Sequence, residues 1–294
     1  MDIDLTPQLP KKIYGSDGGS YYSWSSNELP MLREGNIGAS KLTLEKNGFA
    51  LPCYSDSAKV AYVLQGDTSK AHKLGEFTDL FLTGTNGIFT GFSTEFVKRA
   101  WDMDEESVIS LVKNQIGTGI VKLKEGTKMP EVKKEHRNGM TLNCEEASLD
   151  VDVKNGGRVV VLNTKNLPLV GEVGLGADLV QLDGSAMCSP GFSCDSVLQV
   201  TYIMKGSGRV EVVGVDGKKV LKTRVKAGNL FIVPRFFVVS KIGDPEGMEW
   251  FSIIITSNPI FTHLAGSIGV WKALSPEVLQ AAFNIDTNLV NNFF

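Results

Sequence analysis

The sequence predicts a mainly β protein: two jelly-roll β-barrel domains in tandem, each followed by short α-helices. Three observations carry that reading. The chain repeats itself internally, its second half is a run of short strands punctuated by Gly and Asp turns, and its composition supports a buried core. The domains are read as residues 1–130 and 131–294, with the first barrel missing a segment after Gly66.

The repeat comes first, because self-similarity decides the architecture before any single element does. Residues 37–66 read IGASKLTLEKNGFALPCYSDSAKVAYVLQG and residues 175–206 read LGADLVQLDGSAMCSPGFSCDSVLQVTYIMKG. Gly38 matches Gly176, and each is followed at the same spacing by a proline, Pro52 and Pro190. After a two-residue insertion, Val60, Tyr62 and Gly66 meet Val200, Tyr202 and Gly206. A second block aligns Ile88-Phe89-Thr90 with Ile260-Phe261-Thr262, and tryptophans follow in both, Trp101 and Trp271. Between the blocks the copies differ. Gly66 and Ile88 stand 22 apart in the numbering and Gly206 and Ile260 stand 54 apart, so copy one is short by 32, with the loss expected around Gln65-Gly66-Asp67-Thr68.

Copy two carries the strand signals. Residues 208–214 alternate, Asp216-Gly217 supplies a hairpin turn, and residues 218–225 return. Ala227-Gly228 turns the chain into LFIVP, then residues 236–242, an Asp-Pro-Glu-Gly turn at 244–247, and Trp250-FSIII. Turns at this spacing predict a sandwich or jelly roll. Helices follow in each copy: Asp104 is placed to cap one bearing Val108, Ile109, Leu111 and Val112. Ser275 and Pro276 open another bearing Val278, Leu279, Ala282 and Phe283. The polar stretch 128–139 reads as an exposed linker, and Gly15-SDGGSYYSW as an arm that docks its aromatics.

Composition narrows the function. A net charge of −3 leaves no cationic excess for phosphate neutralisation, so no nucleic-acid partner is expected. No apolar run approaches a membrane span, so no membrane partner is expected either. The acidic opening MDIDLTPQLPKK lacks an apolar h-region, which points to a cytoplasmic protein. Cys53, Cys144, Cys188 and Cys194 show no zinc spacing and are read as reduced thiols, Cys188 and Cys194 being near enough in sequence to bridge under oxidation.

The spacing Gly228-x5-Pro234 after a Gly206-terminated strand resembles the cupin signature. Leu51-PCYSDSAKVAYVLQG, Arg158-VVVLNTKNLPLV and Trp271-KALSPEVLQAAF resemble, more narrowly, the legumin-type (11S) seed globulins and their glutelin-like relatives. The resemblance implies two cupin barrels per subunit, assembly as a homotrimer through helices, and a nutrient-reservoir role. It also implies the seed storage vacuole as the alternative location, cleavage near Asn138-Gly139, and a bridging role for Cys144. The acidic run expected after the cleavage point is missing, and so is the partner segment for Cys144.

Catalytic cupins hold a metal with three His and a Glu, donors that suit Mn, Fe, Ni or Zn. By the same resemblance the Glu position is Gln199 in copy two and Lys59 in copy one. The paired His positions fall near Phe192 and Cys194, and near Pro52 to Tyr54; the last His position is Val239. Hence no metal, no cofactor and no catalytic residue is expected. Of the three histidines, His72 and His136 read as surface residues and His263 as structural. Phe192, Cys194, Gln199, Val239 and Tyr202 form the candidate pocket, in which a Gln, a Cys and a Tyr would hydrogen-bond a small apolar or phenolic ligand, or simply satisfy one another. Three functions follow: a metal-free reservoir or structural bicupin, a small-ligand-binding module, and a metal-dependent oxidoreductase or decarboxylase.

Overall fold

A computed structural model describes residues 4–64, 72–74, 79–131, 133–266 and 269–293. The chain divides into two compact units, residues 9–133 and residues 134–294 together with 1–8. The first residues join the C-terminal unit through a bridge between Gln8 and Leu230, with Gln8 N–H donating to Leu230 O at 2.9 Å.

In the first unit β1 (Lys11–Ser16), β2 (Gly19–Trp24), α1 (Pro30–Glu34) and β3 (Ala39–Leu44) are followed by β4 (Gly48–Ala50), β5 (Cys53–Ser55), β6 (His72–Leu74) and β7 (Asp79–Phe81). Then come α2 (Thr94–Trp101), α3 (Glu105–Lys113) and β8 (Ile120–Lys122). The sheet order is β1-β2-β3-β6, with β4 paired to β8 and β5 to β7. The expected arm is instead the β1–β2 hairpin. Tyr14 stacks on Tyr21 at 4.9 Å, and Tyr21 and Trp24 are buried in their own unit, where a sheet partner rewards them.

The second unit has β9 (Val151–Val153), β10 (Gly157–Leu162), α4 (Val170–Val173), β11 (Gly176–Leu182) and β12 (Met187–Ser193). Next are β13 (Leu198–Val213), β14 (Lys219–Lys226), β15 (Leu230–Pro234), β16 (Val238–Ile254) and β17 (Phe261–His263), closed by α5 (Pro276–Phe283) and α6 (Thr287–Phe293). The path β14-β13-β16-β11-β10-β9 is extended by β15 on β13 and by β12, which links β16 to β17. The predicted Asp216-Gly217 hairpin is present: Gly217 has φ 76°, and Asp216 accepts from Lys218 N–H at 3.1 Å.

Two expected strand ends are absent. The strand read as ending at Gly206 runs on to Val213, and β16 passes through 244–247 unbroken. Register shifts between Ile203 and Lys205 and between Gly206 and Gly208 bend the β13–β16 ribbon, where Gly206 and Gly247 sit at φ 71° and 77°. The bend lets each half meet a different neighbour: β16 pairs β12 through residues 239–242 and β11 through 248–254. A bulged ribbon of this kind curls one sheet into a barrel wall.

The tertiary structure also re-registers the repeat. Gly19 and Gly157 both stand near φ 150° (147° and 150°), and Asn47 and Ser185 both at φ 61°, the two pairs sharing one offset in the numbering. Past the barrel the offset is larger: Asp104 caps α3 by accepting from Ser107 N–H at 2.9 Å, and Asp286 accepts from Leu289 N–H at 2.9 Å in α6. Ser55 and Asp79 stand 24 apart in the numbering where Ser193 and Phe261 stand 68 apart, so the shortfall is 44 and not 32. Ile88–Gly91 is a 3-10 turn equivalent to Val270–Ala273, so it does not match Ile260-Phe261-Thr262, and Trp101 is equivalent to Phe283. The two copies keep an edge-to-face aromatic pair but exchange its members. Phe89 meets Trp101 at 4.9 Å and 79°, Trp271 meets Phe283 at 5.2 Å and 67°. Matching by residue type therefore slid the alignment. Among the described residues of the first unit, no strand stands in the place of β13, β14 or β15 between β5 and β6. The junction Gln65–Thr68 lies outside the described residues.

The α3 and α5 stripes meet different surroundings from those expected. Val108 and Leu279 are buried, but Ile109, Leu111, Val278 and Phe283 are exposed. Ser275 holds the N-cap position without a side-chain bond, and Pro276 opens the helix. The linker residues described between 128 and 139 are exposed.

Candidate functional site

The C-terminal barrel carries a partly open cavity of about 200 Å³. Its walls come from alternation. On β11 Asp178 and Val180 face one way, on β16 Trp250 and Ile254 do so, and on β13 Gln199 joins them. Val151, Val159 and Val161 close one side, and Pro259, Phe261 and His263 another.

Polar groups cluster on this apolar wall. Gln199 Nε2 donates to Asp178 Oδ2 at 3.0 Å and to Ser252 Oγ at 3.2 Å, and Ser252 shares a 3.1 Å hydrogen bond with Thr201. Asp178, Ser252 and Thr201 are cross-strand partners in register, so the network is a row across three strands. Asp178 Oδ1 is buried with no hydrogen-bond partner. Burial pushes the Asp178 carboxyl up from its ordinary value, against the hydrogen bonds from Ser252 and Gln199 and the charge of Lys241.

Lys241 is the unusual member. It is 2% exposed, its Nζ lies 4.6 Å from the Trp250 ring centroid and 5.9 Å from that of Phe231, and it is flanked across the sheet by Cys188. Burial pulls its pKa down, while Cys188 and Asp178 push it up. Burial likewise raises the Cys188 thiol, with Lys241 opposing. His263 Nδ1 is 2.9 Å from Ser189 Oγ; burial lowers its pKa, opposed by the Ser189 backbone.

Of the five residues expected to form the pocket, Gln199 lines the cavity. The other four are not among its lining residues. Tyr202 is buried but alternates onto the opposite face of β13 from Gln199 and Thr201. Val239 is fully buried, one alternation before Lys241 on β16. Phe192 packs 6.1 Å from Phe236 at the barrel end, and Cys194 lies beyond β12, its carbonyl accepting from Arg235 Nε at 3.0 Å. The positions aligned with metal ligands thus present an amide already donating, a displaced thiol and two apolar side chains, a set that does not fit a transition ion. Among the described residues no group of three or more His, Cys, Asp and Glu converges as a metal site. All four cysteines are free thiols. His136 is exposed, and the side chain of His72 lies outside the described residues.

Asp178, Cys188, Lys241 and His263 were missed by sequence reasoning. A signal existed for Lys241: it shares the parity of Val239 in an apolar strand, so alternation sends its ammonium inward. Cys188 and His263 are brought in by the pairing of β12 with β16 and β17, which no local pattern announces.

Comparison with known proteins places the chain. It is 26% identical over 252 residues to glutelin type-D 1 of Oryza sativa subsp. japonica, covering 76% of this chain and 52% of that protein. The chain therefore spans about half the length of this curated relative. The structure of pumpkin seed globulin superposes with a TM-score of 0.86 at 20% identity, covering 99% of this chain and 95% of that one. An 11S globulin from Wrightia tinctoria, with an auxin binding site, superposes with a TM-score of 0.82 at 20% identity, covering 98% and 92%. The cupin family profile matches residues 6–70 and 142–291, most of the chain in two blocks that fall on the two repeats, and the chain belongs to the cupin family.

Proposed function

We propose that this chain is a non-catalytic bicupin of the storage-globulin kind, with a reservoir-like or structural role. The carrying observation is Gln199: where a metal-binding cupin needs a carboxylate, an amide holds Asp178 and Ser252 in a row that knits β11, β16 and β13 together. The interior polar chemistry is thereby committed to the barrel rather than to a metal. The relatives named as glutelins and globulins support the same reading. Elemental analysis of the purified protein tests it, with stoichiometric Mn or Fe and chelator-sensitive turnover as the overturning result.

The partner in this reading is the chain itself, as a homotrimer. Its support is the exposed apolar residues Phe96 and Trp101 of α2 and Val278 and Phe283 of α5, which occupy matching positions in the two copies. Light scattering after size exclusion tests it, and a monomer at micromolar concentration overturns it. No helix among the described residues is long and apolar enough to cross a membrane. Cytoplasmic residence is the proposed location and the seed storage vacuole the alternative, separated by fractionation of source tissue.

A second reading, a small-ligand-binding module, is favoured by the cavity itself. About 200 Å³ of largely apolar space is lined by Asp178, whose Oδ1 has no hydrogen-bond partner, and by the buried Lys241. Native mass spectrometry for a co-purified small molecule tests it.

A further inference from the structure

We propose that Lys241 captures small apolar aldehydes inside the C-terminal barrel, holding them as an imine on its Nζ. The proposal rests on the ligand-binding reading of the same cavity and goes beyond it by naming the reactive atom and the substrate class.

The geometry points there in three ways. First, Lys241 is 2% exposed and lines the cavity, yet no hydrogen bond to its Nζ is formed among the described residues; its neighbours are ring faces and the Cys188 side of β12. An amine in that setting is held without a hydration shell and without a fixed counter-ion contact, the condition under which lysine becomes a nucleophile. Secondly, the cavity holds about 200 Å³, and apolar cavities of about 150 Å³ take up benzene, so a single aromatic ring with a formyl group fits. Thirdly, the wall already carries Asp178, whose Oδ1 has no partner. An anionic ligand would bring a buried charge to this apolar wall, whereas a neutral aldehyde brings none. Burial supports the chemistry from both sides, lowering the pKa of Lys241 and raising that of Asp178 toward their uncharged forms.

The step balances without an oxidant or reductant. The Nζ lone pair forms a C–N bond to the carbonyl carbon while the C=O π pair moves to oxygen, and one nitrogen proton passes to that oxygen, giving a carbinolamine. The C–O bond then breaks and water leaves, taking its second proton from the Asp178 carboxyl. Amine and aldehyde become iminium and water, with the Asp178 carboxylate left as counter-charge. Burial lowers the pKa of Lys241 from the ordinary lysine value of about 10.4, so it offers more of the free amine at neutral pH than a lysine in water.

The test uses the full chain, benzaldehyde at near-stoichiometric concentration and sodium cyanoborohydride at neutral pH, read by intact mass and peptide mapping. The expected result is one benzyl adduct per chain on the Lys241 peptide, lost in Lys241→Met and kept in Cys188→Ala. Labelling spread over exposed lysines with an unmodified Lys241 peptide overturns the proposal, and the wild-type map decides this even where a variant fails to fold. Benzyl alcohol, lacking a carbonyl, separates the two readings by thermal shift and native mass spectrometry. If it binds while Lys241 stays unlabelled, imine capture is wrong and the cavity reading stands; if neither compound is retained, both are wrong.

Discussion

Replacing Gln199 by Met removes one side chain of nearly the same volume and two hydrogen bonds, to Asp178 Oδ2 at 3.0 Å and to Ser252 Oγ at 3.2 Å. A buried hydrogen bond contributes about 1 kcal/mol net, and an acceptor stranded in the interior costs about 1–3 kcal/mol. Asp178 Oδ1 is already unpartnered, so without Gln199 the carboxyl is left with Ser252. The expected loss is about 3 kcal/mol. For a unit of this size that lowers the melting temperature by about 6–12 °C. The second arm is the double variant Gln199→Met/Asp178→Leu. Removing both partners leaves nothing stranded between them, and the extra carbons of Leu have the adjoining cavity to occupy. It is expected to recover at least half of the loss. Thermal and guanidinium unfolding at one fixed protein concentration measure both, since self-association makes stability concentration-dependent. An unchanged melting temperature for the single variant would falsify the claim that this row knits the three strands. A double variant as unstable as the two singles summed would show that the residues do not act as a pair.

Three further outcomes follow from the same physics. The pKa of Lys241 is lowered in the fold, so below about 10 the unfolded chain binds a proton that the folded chain refuses. Wild-type stability therefore falls as pH drops through that window, and the advantage of Lys241→Met widens from about pH 10 toward neutrality in a denaturation series; a constant gap rejects it. A Cβ on Gly157 would stand 2.3 Å from Gln181 O at φ 150°, and one on Gly19 2.2 Å from Thr43 O, so Gly157→Ala costs about 2 kcal/mol or more by chemical unfolding, and a loss below about 0.5 kcal/mol removes the steric argument. If the exchanged aromatic pairs are equivalent, Trp271→Phe and Phe283→Trp each cost about 1–2 kcal/mol alone while the double exchange recovers most of it; additive losses argue against the equivalence.

What the residues determined by themselves was the repeat, the β class and the turn at Asp216-Gly217, because each depends on short-range pattern: backbone alternation, glycine at positive φ and self-similarity within the chain. The capping role of Asp104 was readable for the same reason, since cap and helix are neighbours in the chain. The true extent of the shortfall in the first copy was not, because the aromatic pair at the helices preserves a packed shape while exchanging which position holds the tryptophan. The site divided along the same line. Gln199 was singled out by the resemblance, as the position where metal-binding cupins carry a Glu. Asp178, Cys188, Lys241 and His263 are spread from β11 to β17, and only the pairing of β12 with β16 and β17, and of β11 with β16, puts them on one wall. Tyr202 went the other way for a local reason, its odd separation from Gln199 sending it to the far face. Which residues face inward is a matter of parity and can be read from the chain. Which inward faces meet is set by how a bulged ribbon bends, and that only the folded barrel decides.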